Sequence, residues 1–166
     1  VLEEVQSDDL STIVKRTAGL YSVTAYKQWA CDLKGAKEGV AILVRSTIAA
    51  RGAGTHVGQT CTDPSVKRIL VWADLQLESG PFRVYGTHLT AGSGPSAASR
   101  AAQIRAIRQI IATNDPQDAG RWALAGDLNV TPNSAGYRLT LDGDVAAGGP
   151  TYADTFGEHS PNSIDP

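Results

Sequence analysis

Two short segments constrain this chain more than any others: Gly86-Thr87-His88-Leu89 and Ala125-Gly126-Asp127-Leu128-Asn129. Each closes a run of strand-forming residues with polar groups, and a helix-forming stretch lies between them. Strands arranged in this way deliver an imidazole, a carboxylate and a carboxamide to the same rim of a sheet. Acid/base and metal-assisted chemistry needs such groups to converge. Leu2-Glu3-Glu4-Val5 adds two carboxylates at the start of the chain.

The pattern between these landmarks alternates strands with helices. Ser7-Asp8-Asp9 opens a helix, with acidic residues where the helix dipole favours them. Leu10, Ile13, Val14 and Thr17 share one of its faces, and Gly19 stops it. Leu20 to Tyr26 alternates as a strand does, and Gly39 to Val44 is too short an apolar run for a helix and reads as a buried strand. Ala50 to Pro64, with Gly52, Gly54, Gly58 and Pro64, reads as a surface loop. Val66 to Leu77 and Phe82 to Leu89 form a hairpin through Glu78-Ser79-Gly80-Pro81.

Ser96 to Ala112 is the strongest helix, ended by Asp115-Pro116. Ala97, Ala101, Ile104, Ile107 and Ile111 form its inward stripe, with Arg100, Arg105 and Arg108 mainly on the other sides. Trp122 to Ala125 is a further strand, Pro132 to Leu141 contains a short helix, and Gly148-Gly149-Pro150 marks a loop. The expected fold is α/β (α+β), a four-layer sandwich of two mostly antiparallel sheets packed face to face with helices outside. No repeat or linker divides the chain, so residues 1–166 form a single domain.

At 166 residues the chain is long enough to bury a substantial core. A net charge of -2 excludes a globally basic nucleic-acid binder but leaves room for a local basic face. No apolar stretch approaches the ~20 residues of a membrane span, and no secretory leader is read. The absence of Met, a start at Val1 inside a strand and a stop at Ile164-Asp165-Pro166 lead to the expectation that the domain is incomplete at both ends. Cys31 and Cys61 form either one disulfide of an exported protein or two free thiols. With the low Lys content they point to a secreted or extracytoplasmic protein, the alternative being a cytoplasmic one.

The motifs, in their order and spacing, resemble the endonuclease/exonuclease/phosphatase superfamily, and its deoxyribonuclease I-like members in particular. The resemblance implies a two-sheet sandwich flanked by helices and divalent-metal-dependent cleavage of phosphoesters. Glu4 resembles the metal-binding glutamate of a Gln-Glu-Val motif, with Glu3 replacing Gln. A carboxylate suits Mg²⁺, with Mn²⁺ or Ca²⁺ as alternatives. Glu3 is passed over as the ligand, because neighbouring strand residues face opposite ways. His88 resembles the histidine of an Asn-Thr-His-Leu motif that contacts the scissile phosphate and takes part in acid/base catalysis. Glu38, in Lys37-Glu38-Gly39-Val40, resembles the glutamate that orients that histidine.

Asp127 and Asn129 resemble the pair in a Gly-Asp-Phe-Asn motif, where Asp positions the water or metal and Asn binds phosphate oxygens. From the residues alone, an Asx turn after a strand is the other reading of Asp-Leu-Asn. Arg68 resembles a phosphate-contacting basic residue. His56 and His159 carry no motif and read as surface residues of loops.

The chain departs from the superfamily pattern in lacking a Ser-Asp-His motif and an initial strand bearing Asn; Ser163-Ile164-Asp165 only echoes an Arg-Ile-Asp-Tyr segment. Removing one member of a catalytic set costs orders of magnitude, so full activity is not expected of these residues by themselves. The implied function is a deoxyribonuclease-like, metal-dependent phosphodiesterase acting on nucleic acid. Alternatives are a sphingomyelinase-like enzyme acting on a lipid head group, an inositol-phosphate phosphoesterase, and a non-catalytic binding module on the same fold.

Overall fold

Two strands whose side chains are apolar on both faces set the layering. In β3 (Gly39–Arg45), Val40, Ile42 and Val44 point one way and Ala41 and Leu43 the other. In β5 (Lys67–Leu77), Ile69, Val71, Ala73 and Leu75 face one side, while Leu70 and Trp72 face the other. A strand with two apolar faces must lie in a sheet covered on both sides. The first set of each strand meets the other, with Ala25, in the core between two sheets. This computed structural model describes residues 1–28, 38–60, 67–114, 121–142 and 152, leaving aside the side chains of 57–60 and 67–68.

The first sheet has the order β1-β3-β2, from β1 (Leu2–Val5), β3 and β2 (Tyr21–Gln28), all antiparallel. The second has the order β4-β5-β6-β7, from β4 (Ala49–Thr60), β5, β6 (Gly80–His88) and β7 (Trp122–Asp127). Its pairs are antiparallel except β6–β7, which run parallel because α2 (Pro95–Asn114) makes the crossover between them. Helix α1 (Ser7–Arg16) covers the outer face of the first sheet through Leu10 and Ile13. Ile104, Ile107 and Ile111 of α2, with Leu139 of α3 (Ala135–Asp142), cover the outer face of the second. The four-layer sandwich read from the sequence is the observed architecture.

The hairpin, the buried strand and the three helices fall where the sequence pattern puts them. The β5–β6 ladder closes at Leu77↔Gly80, with Gly80 at φ +111. On that ladder Arg83 grips Asp74 with two hydrogen bonds of 2.5 and 2.8 Å and lies 4.7 Å over the Trp72 ring. Cys31, Cys61 and His159, the helix end at Asp115-Pro116, the Gly148-Gly149-Pro150 loop and Ser163-Ile164-Asp165 lie outside the described residues.

Two expectations are corrected. Of the stretch read as a surface loop, Ala50 to Thr60 is β4, paired with β5 from Ala49↔Gln76 to Thr60↔Lys67, and the remainder to Pro64 lies outside the described residues. Two of the glycines that suggested a loop, Gly52 and Gly54, make room for an indole. A Cβ at Gly54 would lie 2.8 Å from the Trp72 ring, and one at Gly52 would lie 3.4 Å from it. His56 accordingly sits in a strand opposite Leu70 and is partly buried, rather than on a surface loop.

The second correction concerns Arg108, which is buried at 8% exposure rather than on an outer face of α2. It donates to the Thr140 and Leu141 carbonyls at the end of α3, where a cation meets the negative end of the helix dipole. Its guanidinium lies 4.1 Å over the Tyr152 ring. Burial pushes the Tyr152 hydroxyl above its ordinary range, while Arg108 pulls it the other way.

Gly54→Val is expected to destabilise the fold by about 1–3 kcal/mol, the usual cost of overpacking, because Trp72 is held under Arg83 and cannot swing aside freely. Urea unfolding measures this. A change within about 0.5 kcal/mol, typical of an open surface position, would show that the indole does not occupy that space.

Candidate active site

Parallel pairing of β6 and β7 places His88 directly opposite Asp127, one step beyond Thr87↔Gly126. The Asp127 Oδ2 lies 3.9 Å from His88 Nε2, and Glu4 Oε1 lies 3.8 Å from Nδ1. These separations are too long for hydrogen bonds. The imidazole is 8% exposed, whereas the Glu4 and Asp127 side chains are 64% and 55% exposed. A buried ring is thus bracketed by two carboxylates open to solvent.

The loop after β6 is fixed from beneath. Thr87 Oγ1 donates to the Ile69 carbonyl at 2.9 Å, anchoring the strand end. Gln103, 1% exposed on α2, accepts from the Thr90 N–H at 3.1 Å and donates to Thr90 Oγ1 at 2.8 Å. Sequence reading missed this residue, since a Gln inside a helix carries no signal until its partner is known.

At the end of β7 the Asx turn does form. Asp127 Oδ1 accepts from the Asn129 N–H at 2.7 Å, and Asn129 sits at φ +51, a region Asn tolerates. The Asn129 Nδ2 donates to the Leu89 carbonyl at 2.9 Å, tying the two motifs together. Leu128 packs into the apolar layer beneath α2. The turn and the Asp127–Asn129 pair are one arrangement: one Asp127 oxygen holds the turn while the other faces His88.

Glu3 also reaches the rim. The β1–β3 register advances three residues on one strand for two on the other, from Leu2↔Ala41 to Val5↔Gly39, and Glu4 takes φ +54. This bulge breaks the alternation on which Glu3 was set aside. The Glu3 Oε1 lies 3.0 Å from where a Cβ on Gly126 would be, so both acidic residues of β1 approach the β6–β7 ends. Gly126 has φ +126, and a Cβ there would collide with the Thr87 carbonyl oxygen.

Glu38 is half-buried one residue before β3, next to the Val5↔Gly39 pair that ends β1. Arg68 lies in β5 two residues before Leu70, whose ladder partner is Thr87, so its backbone is at the same end of the sheet as His88. His56 lies opposite Leu70, itself paired with Thr87, so its backbone is two strands away from the end of β6. Among the described residues no three His, Cys, Asp or Glu side chains are gathered into a cage for a metal ion.

Two packed sheets flanked by helices, with this rim at the β6–β7 ends, form the deoxyribonuclease I-like fold. The chain belongs to the Endonuclease/Exonuclease/phosphatase family, whose model matches residues 1–165. Members of this family are hydrolases acting on phosphoester bonds.

The human Nocturnin catalytic domain with bound sulfate superposes at a TM-score of 0.66 with 20% identity, over 83% of this chain and 53% of that one. D. rerio TDP2 complexed with a single-strand DNA product gives 0.64 with 18% identity, over 98% and 57%. A mannosyl-6-phosphatase of Bacteroides thetaiotaomicron gives 0.63 with 15% identity, over 84% and 54%. The chain therefore spans about half the length of these structures. No curated protein matches it.

Gly126→Ala is expected to lower stability by more than about 1 kcal/mol, because Ala is strained at positive φ and its methyl has no room. Gly94→Ala is the control, since Gly94 also has positive φ (+60) but nothing within 4 Å of its Cβ direction. Equal losses of thermal stability for the two variants would show that the close approach at Gly126 carries no weight.

Proposed function

We propose that this protein is a divalent-metal-dependent phosphodiesterase that cleaves nucleic acid. The observation that carries the reading is His88 flanked by Glu4 at Nδ1 and Asp127 at Nε2, with Asn129 on the same rim. The family implies a divalent cation, and the donor chemistry fits: two exposed carboxylates offer hard oxygen ligands. Mg²⁺ is ordinarily held by one or two carboxylates together with waters and substrate phosphates, so a closed protein cage is not required. Glu4 would hold the ion, with Mn²⁺ or Ca²⁺ as substitutes. When bound, the cation supplies neutralisation of the charge that develops on the phosphoryl oxygens.

The remaining roles belong to the chain's own groups. Asp127, through the oxygen not used in its turn, positions the attacking water. His88 contacts the phosphate and moves a proton at Nε2 or Nδ1, and Glu38 orients the ring. Asn129 presents its carboxamide to a phosphate oxygen, and the Arg68 guanidinium suits a neighbouring phosphate. The DNA product held by D. rerio TDP2 on the same fold supports nucleic acid as the substrate class.

In the full-length protein, Mg²⁺-dependent nicking of supercoiled plasmid is the expected activity, abolished by EDTA. Asp127→Ala is expected to lower the rate by about a thousandfold or more, and His88→Ala by about 10²–10⁴-fold. Nicking that survives in Asp127→Ala would remove Asp127 from the mechanism. A folded protein that nicks no nucleic acid would overturn the nuclease reading.

A further inference from the structure

We propose that Gln103 is a positioning residue of the active site, which fixes through a single peptide group the direction in which the Asn129 carboxamide faces. The inference rests on the nuclease reading in that it takes Asn129 to bind a phosphate oxygen. The Leu89 carbonyl and the Thr90 N–H belong to one peptide unit, which is planar and holds the two groups pointing opposite ways. Gln103 Oε1 accepts that N–H at 3.1 Å, and Asn129 Nδ2 donates to that carbonyl at 2.9 Å. The bonds form one chain, from Asn129 to the peptide and from the peptide to Gln103, and each polarises the next in the same sense. Turning the peptide unit breaks both ends at once.

Each end of the chain is itself held. The Gln103 amide cannot reverse without losing two bonds, because its Nε2 donates to Thr90 Oγ1 at 2.8 Å and the side chain is 1% exposed. Arg100, one turn earlier on the same face of α2, donates to the Thr90 carbonyl at 2.7 Å. The N–H, the hydroxyl and the carbonyl of Thr90 are therefore all bound to α2. At the other end the Leu89 N–H donates to the Asp127 carbonyl at 2.9 Å, and the Asn129 N–H donates to Asp127 Oδ1 at 2.7 Å. Nδ2 carries two N–H groups, and an ionised phosphate oxygen can only accept. With one N–H turned to Leu89, the second points away from it and is the group that can donate to phosphate. A reversed carboxamide would set its oxygen against the Leu89 carbonyl and carry the donor to the other side of the site. Misplacement by ~1 Å is enough to cost about 10²-fold in rate.

The test compares kcat/KM for Mg²⁺-dependent hydrolysis of a short fluorescein-labelled single-stranded DNA by full-length variants, arranged as a double-mutant cycle. Gln103→Leu is expected to lower it about 10–100-fold, the range for losing a partner that orients a group at the reacting centre. In the Asn129→Ala background the same substitution is expected to change it less than about twofold, because Gln103 then has nothing to orient. Equal losses in the two backgrounds would leave Gln103 a merely structural role and overturn the proposal, as would full activity of folded Gln103→Leu. Thr90→Ser keeps the hydroxyl and is expected to keep the rate. Thr90→Val releases the Gln103 amide and is expected to lose rate only where Asn129 is present. That variant carries the cycle if Gln103→Leu does not fold.

A second readout does not depend on the reaction. The Asn129 side-chain N–H pair is identified in a nitrogen–proton correlation spectrum by its loss in Asn129→Ala. It is expected to shift in Gln103→Leu or Thr90→Val and to stay in place in Gln109→Leu, an exposed position further along α2. A pair that does not move when the clamp is removed would overturn the positioning role. A pair that moves in a protein that hydrolyses no DNA supports the role and removes the nuclease reading. Hydrolysis with equal losses in both backgrounds removes the positioning role alone.

Discussion

The close approach of β1 to the ends of β6 and β7 is the constraint on which the site depends. β1 belongs to one sheet and β6–β7 to the other, and packed sheets normally stand about 10 Å apart. Here the gap narrows because two glycines leave it open. A Cβ at Gly86 would lie 2.9 Å from Val1 Cγ1, and one at Gly126 would lie 3.0 Å from Glu3 Oε1. Both glycines belong to the segments that stand out in the sequence, just upstream of His88 and Asp127. Their part is to let a strand of the opposite sheet come down beside the histidine.

A carboxylate from one sheet, Glu4, and an imidazole from the other are thereby brought within 4 Å without sharing a strand pair. The arrangement holds unfavourable elements: Glu4 at positive φ, a bulge in β1 and carboxylates crowded at one rim. Strain of this kind costs about 1–3 kcal/mol per residue and persists only where surrounding packing over-determines it. That packing is visible below the rim, in the Thr87–Ile69 bond, the reciprocal Thr90–Gln103 pair and the Asn129–Leu89 tie. A rigid base under exposed carboxylates is what preorganised chemistry requires.

The sequence was legible where one periodicity dominated. β3 and β5 announce themselves through apolar residues on both faces, and α2 through its isoleucines. Legibility failed where a residue's role lay in a partner distant along the chain. The glycines of β4 resembled loop residues because Trp72, which needs their space, is eighteen residues beyond Gly54. Arg108 resembled a solvated arginine because the carbonyls it caps belong to α3. Glu3 was set aside by strand alternation, a rule that a single bulge cancels.

The residue types and their order therefore determined the layers, the family and which side chains are available for chemistry, since hydrophobic periodicity and local turn propensity act over short spans of chain. Only the tertiary structure decided who stands next to whom. It set Glu4 and Asp127 at the two nitrogens of His88 and put both oxygens of Asp127 to different uses. Those pairings come from strand register and from the room left by absent side chains, and neither is written in any one segment of the chain.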